Sequence, residues 1–198
     1  MENLLSNIIN TSLFSLLVLI NIILSFTFGK YTLKRIIPSS FYYHISYKKN
    51  VCIEIIIGFI IICSLLSFIN LFIKINYSIF LILVVISLFT FIKFESNFLI
   101  KKKYKSNLIY LIIILFLSKI SMVSYFASDT GYYHIPVIKI YNEHNTIFGL
   151  ANLFPQYGFN NLNFYYSAMI SANPFLLRFF SVPTVVFFFY HLSIYIQL

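Results

Sequence analysis

The chain has 198 residues, of which 60% are hydrophobic and 10% are charged, and its formal net charge is +9. A soluble domain carries about 25% charged residues, so this composition excludes an ordinary soluble protein and predicts an integral membrane protein. The basic residues cluster in short connectors between apolar runs, which is the pattern of membrane proteins rather than of nucleic-acid-binding proteins. The expected partner is therefore a lipid bilayer, and no nucleic acid is expected.

Four apolar runs come first along the chain, and each has close to the roughly 20 residues that a helix needs to cross a bilayer. The runs are Ile8–Phe28, Val51–Ile73, Tyr77–Ile92 and Leu108–Phe126. They predict a transmembrane region of four helices over residues 1–126, in which the third helix is short.

The last part of the chain, residues 162–198, contains two further apolar stretches. Leu162–Ala172 is too short to cross a bilayer and predicts a half-helix or an interfacial segment. Leu176–Leu198 is long enough and continues to the last residue, so we expect a truncated final helix and a chain that is an N-terminal fragment. The predicted fold is all-α, a polytopic transmembrane bundle of about five to six helices with one structured external loop at 127–161.

The placement of lysine and arginine predicts the orientation of this bundle. The 29–50 and 93–107 connectors hold five basic residues each, whereas the 74–76 turn and the 127–161 loop hold one each. Because basic connectors remain in the cytoplasm, the N-terminus and the 127–161 loop are expected outside it. The predicted location is the bacterial cytoplasmic membrane.

The loop at 127–161 contains the residue types that bind and transform ligands. Asp129 follows the fourth apolar run directly, and it is either a helix cap or a carboxylate that acts as a general base or binds a divalent cation. Tyr133 would share a helix face with Asp129. Whether His134 meets Asp129 depends on a bend at Pro136, which the pattern leaves open.

A short amphipathic helix is predicted over Pro136–His144, lying on the membrane surface. Its spacing puts Val137, Ile140 and Tyr141 on the buried side and leaves Asn142 more exposed.

Glycine and proline interrupt the sequence after this helix and predict a structured turn region over Ile147–Asn161. The amides of Asn152 and Asn160 lie there among aromatic residues. Amide groups and aromatic rings together suit sugar hydroxyls and ring faces, so these residues are candidate substrate contacts.

Two basic residues in apolar surroundings are candidates for binding an anionic group. Lys119 lies two-thirds along the fourth run, where a charge costs at least about 2.5–3.5 kcal/mol. It either faces other helices or a polar cavity, or extends outward to the surface. Arg178 follows a break at Asn173–Pro174, and is either an interfacial anchor or a phosphate contact.

Three strings in the loop are similar to a known pattern: D-T-G-Y-Y-H-I-P at 129–136, I-K-I-Y-N-E-H-N-T-I-F-G-L-A-N-L at 138–153 and G-F-N-N at 158–161. The loop resembles one in bacterial polytopic proteins from polysaccharide and O-antigen loci that are themselves similar to GT-C glycosyltransferases. That pattern is Asp-x-x-x-Tyr-His, a spacer, Gly-Leu-(Ala/Gly)-Asn-Leu-His and Phe-Asn-Ser-Ser. The matching residues are Asp129, Tyr133, His134, Gly149, Leu150, Ala151, Asn152, Leu153, Phe159 and Asn160. The chain differs at Phe154 and Asn161, where the family has His and Ser.

The resemblance implies an enzyme that transfers sugar from a polyprenyl-phosphate carrier during assembly of a cell-surface polysaccharide, possessing a GT-C-like N-terminal part. Asp129 and His134 would be catalytic, and Asp129 would orient the acceptor hydroxyl directly or through a divalent cation. The residues expected to contact substrate are Tyr133, Asn152, Asn160, Lys119 and Arg178. Two alternatives stay open: a polysaccharide polymerase or flippase component with the same topology, and a truncated membrane protein without catalytic activity.

Overall fold

The computed structural model describes residues 2–37, 50–95, 104–123, 134–158, 161–172 and 181–197. These ranges contain helices and turns and no strand, so the all-α prediction is confirmed. The helices in chain order are α1 Glu2–Ile36, α2 Asn50–Asn70, α3 Tyr77–Glu95, α4 Tyr104–Val123, α5 Ile135–Glu143, α6 Leu150–Leu153, α7 Leu162–Ser171 and α8 Val182–Gln197.

The first two helices are long and apolar enough to cross a membrane, over Ser6–Ile36 and Ile53–Asn70. The apolar stretches of α3 and α4, Tyr77–Ile92 and Leu111–Ser121, are shorter. Helix α1 is longer than the predicted run because the residues after Gly29 continue the helix in spite of their charge.

Helices α1 and α2 pack antiparallel at a close backbone contact. A Cβ built on Gly29 would collide with the backbone carbonyl of Glu54, and a Cβ on Gly58 would collide with that of Ser25. Ser25 and Gly29 are four positions apart, the small-residue spacing that lets two helix backbones approach. Glu54 lies at this contact with 4% of its surface exposed.

Helix α7 is a short helix inside the bundle. It has 10 residues, of which Phe164–Ser171 are consecutively buried, and it spans only about 15 Å. Its N-terminus is capped by Asn161, whose side chain accepts a hydrogen bond of 2.9 Å from the Asn163 backbone N–H. It packs against α2, α3, α5 and α8. The segment is therefore a short helix in the protein core, and its role as a half-helix of a membrane bundle stays a prediction.

Hydroxyl pairs join other helices across the bundle. The Thr27 and Ser87 hydroxyls of α1 and α3 are 2.7 Å apart and buried. At the far end of α4, the hydroxyls of Ser121 and Ser181 are also 2.7 Å apart. The second pair brings the end of α4 next to the start of α8.

Candidate functional site

Asn70, the last residue of α2, joins the chain after α5 to the turn between α2 and α3 by hydrogen bonds. This residue is fully buried, and its amide nitrogen donates to the carbonyls of His144 at 3.2 Å and Ile73 at 3.4 Å. Its amide oxygen accepts from the Thr146 hydroxyl at 3.1 Å, and its backbone carbonyl accepts from the Thr146 N–H at 2.8 Å. One asparagine thus fixes the chain after α5 onto the end of α2.

A second set of hydrogen bonds joins α5 to both the turn and α7. The Ile75 N–H donates to the Tyr141 carbonyl at 2.9 Å. In the orientation that satisfies both ends of its amide, Asn142 donates to the carbonyls of Ile75 at 3.1 Å and Ala168 at 2.8 Å. Val137 and Tyr141 are buried as predicted, whereas Ile140 and Asn142 are both half-buried. The Asn142 amide bridges three segments of the chain.

Aromatic rings pair along the contact between α5 and α7. The rings of Tyr141 and Tyr165 stack, with centroids 4.2 Å apart and planes 5° apart. The His134 and Phe164 rings are 5.0 Å apart. Burial, with a hydrogen bond to Tyr165, raises the pKa of the Tyr141 hydroxyl, so this group stays protonated at neutral pH. His134 is half-buried at the start of α5, where the first turn of a helix favours negatively charged groups.

The region after α5 forms two single helical turns rather than the irregular turns predicted. Gly149 has a φ of 81°, a left-handed conformation that glycine adopts without steric cost, and α6 follows it. Asn152 lies in α6 with an exposed side chain. A 3-10 turn over Pro155–Gly158 comes next, and the ring of Tyr157 contacts that of Phe154 at 4.8 Å.

The predicted site residues fall into two groups. His134, Asn152 and Lys119 are described and lie on α5, α6 and α4, respectively. Lys119 is exposed on α4, which agrees with the outward-extending alternative. The others, Asp129, Tyr133, Asn160 and Arg178, lie outside the described residues.

The metal prediction concerns Asp129 and therefore stays a prediction. Within the described ranges, no three His, Cys, Asp or Glu side chains gather as metal ligands would.

A polar group deep in the bundle was missed by the sequence reasoning. Tyr166 of α7 is fully buried and stacks on Phe59 at 4.9 Å. Its hydroxyl interacts with that of Ser25 in α1 and lies near Cys63 of α2, yet neither the Tyr166 nor the Ser25 hydroxyl meets the geometry of a full hydrogen bond within the described part of the chain. Nothing in the local pattern separates Tyr166 from its two aromatic neighbours in sequence.

The sequence also did not identify Asn70 and Asn142 as residues that join distant segments, although the position of each in the sequence is distinctive. Asn70 ends an apolar run directly before a turn, and Asn142 lies one position after a core tyrosine. Both amides act between segments distant in sequence, which the local pattern cannot pair.

Comparison with known proteins gives one match. Residues 12–198 match the family described as "Domain of unknown function (DUF8201)". No curated protein matches the chain, and no solved structure matches it.

Proposed function

Because the chain belongs to the DUF8201 family, whose description assigns no activity, we propose its function from the site itself. We propose a polytopic protein of the bacterial cytoplasmic membrane that resembles GT-C glycosyltransferases. It transfers sugar from a polyprenyl-phosphate carrier at the outer surface during assembly of a cell-surface polysaccharide. The observation that carries this proposal is the packing of residues 134–158 of the loop against the end of the bundle. This packing places the His134 ring 5.0 Å from that of Phe164.

The surface of the helices supports a membrane location. Large apolar side chains are exposed along the outer face of α3, including Val85 at 63%, Phe89 at 66% and Ile92 at 68%. Similar residues are exposed on α4, where Phe116 is 64% exposed. Exposed apolar surface of this extent marks contact with a membrane or a partner, and on two helices that both pack against α1 it suits lipid.

The distribution of charge supports the proposed orientation. Lys30, Lys34 and Arg35 lie at the end of α1 that is next to the start of α2. Asn70 ends α2 at the loop, sixteen residues after Glu54 and so about 24 Å further along the helix. By the positive-inside rule, the basic end faces the cytoplasm and the loop faces the outside.

The proposed chemistry centres on Asp129 and His134. Asp129 would accept the proton of the acceptor hydroxyl or orient it, directly or through a divalent cation. His134 follows five positions later and lies between the ring of Phe164 and the start of α5. Tyr133, Asn152 and Asn160 would contact the sugar.

A basic residue, Lys119 or Arg178, would hold the carrier phosphate. Ser121 lies two residues after Lys119, and Ser181 lies three residues after Arg178. The hydroxyls of these serines are 2.7 Å apart, whereas Arg178 itself lies outside the described residues.

The test is complementation of a deletion strain of the source organism. We expect Asp129→Asn to abolish the surface polysaccharide, seen as loss of the polymer on gels and accumulation of lipid-linked sugar, and His134→Gln to reduce it strongly. Glu143→Gln is the matched control, because Glu143 is the other acid of the loop and is exposed at the end of α5. Full polymer from Asp129→Asn at normal protein level would remove the catalytic claim.

A further inference from the structure

A cleft lies between α1 and α3 at the basic end of the bundle, away from the loop. It is lined by α1 from Phe26 to Arg35 and by Thr90 of α3, and its volume is about 350 Å³. This volume lies within the range of about 300–1,000 Å³ that ligand pockets occupy. Three cationic side chains, those of Lys30, Lys34 and Arg35, belong to its wall.

Aromatic rings hold two of these cations in place. The Lys30 ammonium lies 5.3 Å from the centre of the Phe26 ring, and the Arg35 guanidinium lies 5.4 Å from that of Tyr31. One Arg35 nitrogen also donates to the Tyr31 hydroxyl at 3.1 Å. A guanidinium has five N–H groups, so this bond orients Arg35 and leaves further donors for a ligand. Ordering the cations in advance lowers the entropic cost of binding.

The floor of the cleft and the surface beside it indicate that the rest of the ligand is apolar. Phe26 and Thr27 are buried, and the Thr27 hydroxyl is already bonded to Ser87. The floor is therefore apolar or already hydrogen-bonded, while the cations occupy the rim. Beside the cleft, α3 exposes Phe89 and Ile92 at 66% and 68%. A ligand whose charged group binds the cations at the rim would therefore place its apolar part directly on this surface of α3.

We propose that this cleft binds the phosphate of an anionic membrane lipid, whose acyl chains lie along the outer face of α3. Phosphate suits a guanidinium and two ammonium groups. The adjoining apolar face favours a lipid over a soluble phosphate. The site is separate from the proposed sugar-transfer site, since about 24 Å of α2 lies between Glu54 at this end and Asn70 at the loop. It does not depend on sugar transfer, and of the proposed function it rests only on the membrane location.

The test is lipid binding by the purified full chain in detergent, measured by native mass spectrometry. The probes are phosphatidylglycerol and phosphatidylcholine with identical acyl chains, with inorganic phosphate as a competitor. The test variant is Lys30→Gln with Lys34→Gln. The matched control is Lys74→Gln with Lys139→Gln, which removes the same charge from exposed lysines at the loop end.

We expect one phosphatidylglycerol per chain to bind in preference to phosphatidylcholine. Loss of two basic residues should weaken this binding on the order of tenfold or more, and the control should bind as the unaltered chain does. An Arg35→Gln variant should weaken it as well. Circular dichroism of each variant checks that helix content is unchanged.

Three results would overturn the proposal. The two double variants could lose binding equally, which would indicate attraction by net charge alone. Inorganic phosphate could displace the lipid at equal concentration, which would make a soluble phosphate the ligand. The Lys30 and Lys34 variant could also bind phosphatidylglycerol as well as the unaltered chain.

Discussion

The two ends of the α1–α2–α3 unit place polar groups beside apolar helices in different ways. At the loop end, the neutral amides of Asn70, which is buried, and Asn142, which is half-buried, form hydrogen bonds that join segments distant in sequence. At the basic end, charged groups line an open cleft, and the helices meet through the backbone at Gly29 and Gly58.

The difference follows from the cost of burial. A neutral amide can enter a core when each of its polar atoms is paired, whereas a buried cation needs a counter-charge and still carries a desolvation penalty. Neutral groups can therefore fasten a loop, and cations remain at a surface where a ligand can reach them. The loop end is therefore joined by paired amides, and the basic end presents its cations at the surface.

The largest effect is expected where both ends depend on one contact, at Gly58. Replacing Gly58 by Leu forces α1 and α2 apart, because even a Cβ would collide with the Ser25 carbonyl. Overpacking a fitted core costs about 1–3 kcal/mol or more, and here backbone is displaced, so we expect loss of folded protein and of both sites. Size-exclusion chromatography and thermal unfolding in detergent measure this. Ser64→Leu, on the exposed side of α2, is the control, and equal damage from it would show that the crossing has no special role.

A smaller effect, confined to the loop end of the bundle, is expected from Asn70→Ala. It removes the side-chain bonds to Ile73, His144 and Thr146, at roughly 0.5–1.5 kcal/mol for each bond. The chain after α5 should become sensitive to protease while lipid binding at the basic end persists. Limited proteolysis and mass spectrometry measure both properties. Asn145→Ala, which alters a neighbouring exposed amide, should resist cleavage; the comparison between the ends fails if Asn70→Ala also abolishes lipid binding.

The smallest changes in the free energy of unfolding are expected at two adjacent tyrosines, Tyr165 and Tyr166, and only the change at Tyr165 should lower it. Tyr166→Phe removes a buried hydroxyl that forms no full hydrogen bond within the described residues, so we expect unchanged stability or a gain of up to about 1 kcal/mol. Tyr165→Phe keeps the stacked ring but removes a hydroxyl bonded to Tyr141, and should cost about 1 kcal/mol. Thermal unfolding of both variants under the same conditions shows whether each change raises or lowers the stability of the folded protein. A clear loss from Tyr166→Phe would mean that its hydroxyl has a partner in the folded protein.

Much of the secondary structure was predictable because it depends on runs of apolar residues and on helix-breaking residues. Gly149, Pro155 and Gly158 lie where longer helices are interrupted, and the short run at 162–172 forms a short helix. The ends of α1 were not predictable, since a charged turn continues a helix as readily as it ends one. Of the candidate site, His134 lies two residues before the predicted helix at Pro136–His144 and is the N-cap of α5 in the structure, and its aromatic neighbour Phe164 was not foreseen.

By itself, the sequence determined the helical class, the positions of the apolar segments and the uneven distribution of charge, since each depends on residues close together in the chain. The tertiary structure decided which segments meet. It placed the Asn142 amide against the turn after α2 and against α7, brought Asn70 to Thr146, and formed a cleft from the end of α1 and one threonine of α3. Those arrangements depend on packing and on pairing buried polar atoms over long distances in sequence, and no local pattern specifies the partner.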